Sequence, residues 1–128
     1  MNINEPTTIG LSENAHEKLK WLQEEKHFRD LLDGYRFAIG LALAQGIDPP
    51  EIQKRTTIFN IGTVDPDQSL KISIKALMGD RIQGTPVYKI AERLAEWGVN
   101  ELASQAEAGN LDFITFLDQA GQKETADS

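Results

Sequence analysis

The sequence contains no cysteine, and its only histidines are His16 and His27. Without thiols the chain cannot form disulfides, zinc–thiolate or iron–sulfur sites, or use a thiol nucleophile. No apolar run approaches the ~20 residues that cross a bilayer, and the start of the chain has neither the basic nor the hydrophobic region of a secretory signal. We therefore expect a cytoplasmic protein that has no contact with a membrane.

Positive charge is also scarce. Thirteen Lys and Arg face twenty Asp and Glu, for a net charge of −7, and residues 94–128 account for −6 of it. A globally acidic protein is repelled by nucleic-acid phosphates at long range, so nucleic-acid binding would need a local basic face. Residues 1–93 hold twelve of the thirteen Lys and Arg residues, so we expect any basic face in that part of the chain.

The 128 residues, 40% of them apolar, have the size and composition of one globular domain. The pattern predicts a mainly α fold that begins with a short strand before Ser12, a favoured helix cap. Two helices follow, to about Glu25 and from near Phe28 to Gly46. After the break at Asp48-Pro49-Pro50, residues 56–61 have the β-branched composition of a second short strand or of an extended segment that lies over the core.

Start and stop signals divide the rest of the chain into four helices. Asp65-Pro66 and Thr85-Pro86 each predict a helix start, and Gly79 and Gly98 predict the two ends. A fifth helix is expected from Asn100 to Gly109, and a sixth after it. The tails 1–6 and 122–128 lack apolar anchors and are expected to be disordered.

The residues carry no recognised catalytic, cofactor or metal-binding motif, so we predict no catalytic residue, no cofactor and no metal. The two histidines are eleven positions apart, or ~16 Å along a straight helix, too far to share a metal ion. One enzymatic alternative remains, in which His27 forms an acid–base pair with Glu24 or Asp30.

The spacing of the Lys and Arg residues indicates a binding surface more strongly than the spacing of the Asp and Glu residues does. Cations recur at helical spacing, so that each pair can face one side of a helix. Such a pair is either a solvated face balanced by glutamates or a contact to phosphate that does not depend on base sequence. The first two predicted helices also carry Lys18 and Lys20, and the spaced pairs are Arg29 with Arg36, Lys71 with Lys75, and Lys89 with Arg93.

A family resemblance comes from the order of small motifs. Leu11-Ser12, followed by Ala15, Leu19 and Leu22, and then Arg36-Phe37-Ala38 with Leu41 to Ala44, resemble the start of the ribbon-helix-helix class. The chain is more closely similar to the small E subunit of bacterial DNA phosphorothioation (DNA sulfur-modification) systems. That likeness continues through Met78-Gly79-Asp80, Tyr88, Arg93, Gly98 and Gly109.

The resemblance implies a non-catalytic, DNA-associated accessory protein of a bacterial DNA modification or defence system. It implies an oligomer that binds the backbone of double-stranded DNA non-specifically, with Lys18 and Lys20 as phosphate contacts, and possible partners among the system's other subunits. Self-association is also expected because a lone N-terminal strand has an unpaired edge. The first alternative is a protein-interaction adaptor that uses Phe59, Trp21 or Trp97 and binds no nucleic acid.

Overall fold

The computed structural model describes residues 6–82 and 84–109. The chain is mainly helical with two short strands in one small domain, which confirms the predicted fold class. A 3₁₀ turn, Gly79–Ile82, joins the last two helices. In chain order the elements are β1 (Thr8–Leu11), α1 (Glu13–Glu24), α2 (Leu31–Ala44), β2 (Thr56–Asn60), α3 (Ile61–Val64), α4 (Ser69–Met78) and α5 (Val87–Glu107).

The long helix α5 is the centre of the fold. Its 21 residues extend over about 31 Å, and α1, α2, α4 and β1 all pack against it. More than half of its residues are buried, so α5 is surrounded over much of its circumference, unlike a surface helix with a single apolar stripe. The largest side chains buried completely around it are Tyr35, Ile9, Leu11, Leu19, Leu22, Ile39, Ile74, Leu94, Leu102 and Val99.

Side-chain caps set the starts of α1 and α2. The Ser12 hydroxyl accepts a hydrogen bond from the Ala15 amide at 3.1 Å, as its sequence position predicts. The Asp30 carboxylate does the same for the Asp33 amide at 2.8 Å. Because Asp30 takes the cap, α2 begins at Leu31 and not near Phe28.

The two strands pair with each other. β1 runs antiparallel to β2, with Thr8 opposite Asn60 and Leu11 opposite Thr56, and an irregularity follows Ile9. One edge of β1 is therefore paired within the chain. Self-association stays a prediction, and the argument from a lone strand no longer applies because β1 has a partner strand in its own chain.

Gly98 does not end a helix, contrary to the sequence prediction. α5 continues through it, so the predicted fourth and fifth helices are one. The backbone of Ala38 in α2 lies directly against Gly98, where a β-carbon would collide with it. The glycine is needed for this close helix crossing, since a missing side chain lets two backbones approach.

The start of α4 also differs from the prediction. Asp65-Pro66 does not open the helix, which begins at Ser69 after a turn. The buried Asp65 carboxylate nevertheless accepts hydrogen bonds from the amides of Leu70 and Lys71, at 2.9 and 3.0 Å. Asp65 thus caps α4 from outside the helix, and the Tyr88 hydroxyl also donates to it, at 2.8 Å.

Several predictions concern residues outside the described ranges. The predicted sixth helix lies there, as do the predicted tails 122–128 and 1–6, apart from Pro6. Within the described ranges, no helix is long and apolar enough to cross a membrane.

Two helical glycines test the close crossing. Gly98→Ala should destabilise the fold by about 1–3 kcal/mol or more, because its β-carbon has no space against Ala38. Gly40→Ala is the matched control: nothing lies within 4 Å of its new β-carbon, and alanine should stabilise α2 by about 0.5–1 kcal/mol. Urea unfolding of both variants measures the difference. Equal effects of the same sign would contradict the assignment.

Candidate nucleic-acid interface

The buried carboxylate of Glu92 joins three parts of the fold. Glu92 is on α5 and is only 3% exposed. Its Oε2 accepts the Gly10 amide of β1 at 2.9 Å and lies 2.9 Å from Nε of Arg55, the residue before β2. A buried charge is stable only when it is paired and hydrogen-bonded, and Glu92 meets both conditions.

Tyr35 and Arg55 complete this network around β1. The Tyr35 hydroxyl donates to the Gly10 carbonyl at 2.8 Å, so both backbone groups of Gly10 that face away from β2 have partners. Arg55 also donates to the Thr8 hydroxyl at 3.1 Å. Burial raises the pKa of Tyr35 well above 10, and the nearby charge of Glu92 raises it further, partly offset by Arg55.

One turn further along α5, Glu96 fixes the start of α1. Its two carboxylate oxygens accept hydrogen bonds from the Ser12 amide, at 2.9 Å, and from the Ser12 hydroxyl. Glu96 and Glu92 thus both direct their charge toward backbone donors at the end of β1. Both carboxylates therefore have hydrogen-bond partners within the fold.

Beside this network is an open cleft of about 310 Å³ between the first turns of α5 and the segment that leads to β2. Three of its lining side chains are cations: Arg55, Lys89 and Arg93. The exposed acid in the cleft is Glu51, 75% exposed and 3.9 Å from Arg93, a weak ion pair. Lys89 has no ion-pair partner within the described ranges. We call this surface the cationic cleft.

The cationic cleft continues along one side of α5. Lys89, Arg93, Glu96 and Asn100 are spaced by four, three and four residues, which places them on one face of the helix. At the far end, Lys18 of α1 donates to the Asn100 side chain at 2.8 Å. Lys18 therefore extends this row of side chains from Lys89 to Asn100, and we call the row together with Lys18 the stripe.

Lys18 and Lys20, the two lysines that the resemblance assigned to phosphate contacts, have different partners in the structure. Lys20 is two residues beyond Lys18, so the two side chains leave α1 in different directions. Its ammonium is 2.8 Å from Glu17, and this hydrogen bond, with the lysine charge, holds the pKa of Glu17 below its usual value. Their role as phosphate contacts stays a prediction.

Sequence reasoning identified the Lys89–Arg93 pair but missed Arg55 as their neighbour and Glu92 as the residue that holds it. Helical spacing relates residues on one helix, whereas Arg55 and Lys89 are 34 positions apart. The sequence signal was present but ambiguous: Glu92 stands among apolar α5 residues and faces the core, where an unpaired carboxylate would be costly.

The residues of the enzymatic alternative have structural contacts. Asp30 caps α2, and its other oxygen is 3.9 Å from Arg29. The His27 ring lies 6.3 Å from that of Trp21, centre to centre. Within residues 6–82 and 84–109, no three His, Asp or Glu side chains form a group that could hold a metal ion.

The aromatic residues of the adaptor alternative are half-buried. Trp97 lies beside Pro50 and Ile52 in a second cleft, on the other side of the segment that precedes β2. Phe59 packs edge-on against Tyr35, with ring centres 5.4 Å apart. Both residues already support the core through part of their surface.

No family model, curated protein or solved structure matches this chain.

Neutralising Glu92 should weaken the fold. Glu92→Gln removes the charge that balances Arg55 in a mostly buried site, and we expect a loss on the order of 3 kcal/mol. Glu51→Gln is the control, because its ion pair is long and exposed, and it should change stability by less than about 0.5 kcal/mol. Urea unfolding at neutral pH compares them. A loss in Glu92→Gln no larger than in the control would show that the network does not support the fold.

Tyr35 should make the protein sensitive to alkali. Its pKa is raised in the folded state, so the folded protein keeps the phenol proton when the unfolded chain loses it. Stability should be fully retained below the unfolded pKa near 10 and fall above it, by up to about 1.4 kcal/mol per pH unit. Tyr35→Phe should show a smaller decline when unfolding is measured from pH 9 to pH 11. Parallel declines in both proteins would refute this role.

Proposed function

We propose that this protein is a non-catalytic, DNA-associated accessory protein of a bacterial DNA modification or defence system, which binds the phosphate backbone of duplex DNA as an oligomer. The observation that carries the DNA contact is the cationic cleft, where Lys89 and Arg93 line one open surface beside the Arg55–Glu92 ion pair. The biological setting comes from the sequence resemblance alone.

The charge arrangement of the cleft supports a phosphate ligand. Glu92 and Glu96 direct their carboxylates toward β1 and Ser12, so they satisfy internal donors beside the cations. Lys89 and Arg93 are then available to an external anion. This separation allows a locally basic surface on a chain with a net charge of −7.

The length of the stripe fits a duplex backbone better than a single small anion. From Lys89 to Asn100 the helix rises about 16 Å, and Lys18 stands at the far end. One DNA strand rises about 3.4 Å per nucleotide, so the stripe is about five nucleotides long. Lysine and arginine contacts to phosphate fix position without reading bases, which predicts binding without sequence preference.

The adaptor alternative was predicted to use Phe59, Trp21 or Trp97, and a different surface, on α4, also supports it. Ile72 and Leu77 on α4 are 63% and 62% exposed, which favours contact with another protein. Under that alternative the cationic cleft has no ligand. Because the two surfaces are distinct, substitutions in one should leave the other intact.

Charge reversal tests the cationic cleft. Lys89→Glu with Arg93→Glu should weaken binding to all duplex sequences alike, and should reduce the dependence of log affinity on log salt by about two phosphate contacts. The matched control is Lys26→Glu with Arg29→Glu, an equal charge change at exposed residues near the α1–α2 connection. Salt titrations of a labelled duplex measure both. Equal losses would show that net charge, and not the cleft, controls binding, and no binding by the native protein would overturn the proposal.

The same titration separates Lys18 from Lys20. Lys18→Glu should weaken binding because Lys18 ends the stripe, while Lys20→Glu tests the contact that the resemblance alone implies. A loss confined to Lys20→Glu would move the interface away from α5.

A further inference from the structure

One irregular segment divides the surface of α5 that carries the stripe. Glu51 and Ile52 line both the cationic cleft and the second cleft. On α5, Arg93 is the last residue that lines the cationic cleft, and Glu96 is the first residue that lines the second cleft. The segment therefore crosses α5 between these two residues. We call residues 50–54 the strap.

Both ends of the strap are held by the fold. Before it, the Ile47 amide donates a hydrogen bond to the Ala42 carbonyl at 3.1 Å, and Pro49 is buried. After it, Arg55 forms its ion pair with the buried Glu92. Any movement is therefore confined to the five residues between Pro49 and Arg55.

The strap itself has few contacts. Within the described ranges, no backbone hydrogen bond joins residues 50–54 to another backbone group. Four of the five residues are exposed, and the half-buried Ile52 does not belong to the described apolar side chains that pack against the core. Glu51 pairs with Arg93 across 3.9 Å, which is a weak contact. A segment with so few contacts opens locally at a small cost in free energy.

The strap stands in the path of a ligand that follows the stripe. Lys89 and Arg93 lie on one side of it, and Asn100, to which Lys18 donates, lies on the other side. Because most of the strap is exposed, a phosphate backbone that contacts Arg93 meets the strap before it reaches Lys18. Glu51 also places a carboxylate beside Arg93, where it repels a phosphate that approaches the same guanidinium.

We propose that the strap is a movable cover of the stripe, closed by Glu51 and Ile52 in the free protein and displaced when duplex phosphates bind on both sides of it. Displacement joins the two clefts into one groove along α5. The free energy of opening reduces the affinity, because only the open state contacts the whole stripe. The assignment takes its ligand from the proposed function, but the opening itself is measured without DNA.

Native-state proteolysis measures the opening. A glutamate-specific protease should cut after Glu51 at a rate that low urea does not change, because local opening exposes the strap. Glu17 is the matched site: its side chain is similarly exposed, 65% against 75%, but it lies in α1, which must unfold before cleavage. Mass spectrometry of the fragments gives both rates. Cleavage after Glu51 that is no faster than after Glu17 would show that the strap is part of the rigid fold.

A cross-link that fixes the strap tests its effect on binding. Gln53→Cys with Glu101→Cys places one thiol on the strap and one on α5, at positions that line the same cleft. The chain has no native cysteine, so a short bis-maleimide joins only these two thiols. The control is the same chain with each thiol capped by a monofunctional maleimide, which adds the bulk without the link. Duplex affinity should be about tenfold lower, or less still, in the linked chain.

The outcomes of the two experiments are separable. Equal duplex affinity of the linked and capped chains would overturn the cover, because binding would then need no movement of the strap. If neither the capped chain nor the native protein binds duplex DNA, the proposed function fails. The protease measurement then decides by itself whether the strap opens.

Charge removal tests the part played by Glu51. Glu51→Gln removes the carboxylate beside Arg93 and should raise duplex affinity about threefold or more. Asp48→Asn is the control, an equal charge change at an exposed residue just before the strap that lines neither cleft. Equal gains in both variants would show that net charge alone acts, and that Glu51 does not hold the cover closed.

Discussion

The fold depends on how one buried charge is satisfied. Glu92 stands in the second turn of the central helix, where burial would be costly without partners, and its oxygen contacts both the Gly10 amide and the Arg55 guanidinium. This contact joins α5 to β1 and to Arg55, the residue before β2. The position of β2, and of the segment that forms one wall of the cationic cleft, follows from it.

Asp65 is a second buried acid with hydrogen-bond partners, and it lies near the start of α5. Asp65 accepts two amides of α4 and the Tyr88 hydroxyl, and so attaches α4 to the long helix. Both acids contribute to the net charge of the sequence but little to its surface. The composition is therefore a poor guide to the potential that a ligand meets, because that potential depends on which charges lie side by side, as Glu92 and Arg55 do.

The central helix also separates two different surfaces. One side of α5 presents Lys89 and Arg93 beside Arg55, a site suited to anions. α4 is attached to the first turn of α5 through Asp65 and Tyr88, and it exposes Ile72 and Leu77.

The sequence by itself determined the helical class, the first strand, the Ser12 cap and the Gly46 stop, because these depend on near neighbours in the chain. It also identified Lys89 and Arg93 as a pair, since helical spacing is a local property. Only the tertiary structure decided that Gly98 serves a helix crossing and that Asp65 caps α4 across a turn. It alone placed Arg55 beside Lys89. These outcomes depend on which distant segments approach each other, and local pattern carries no information about that approach.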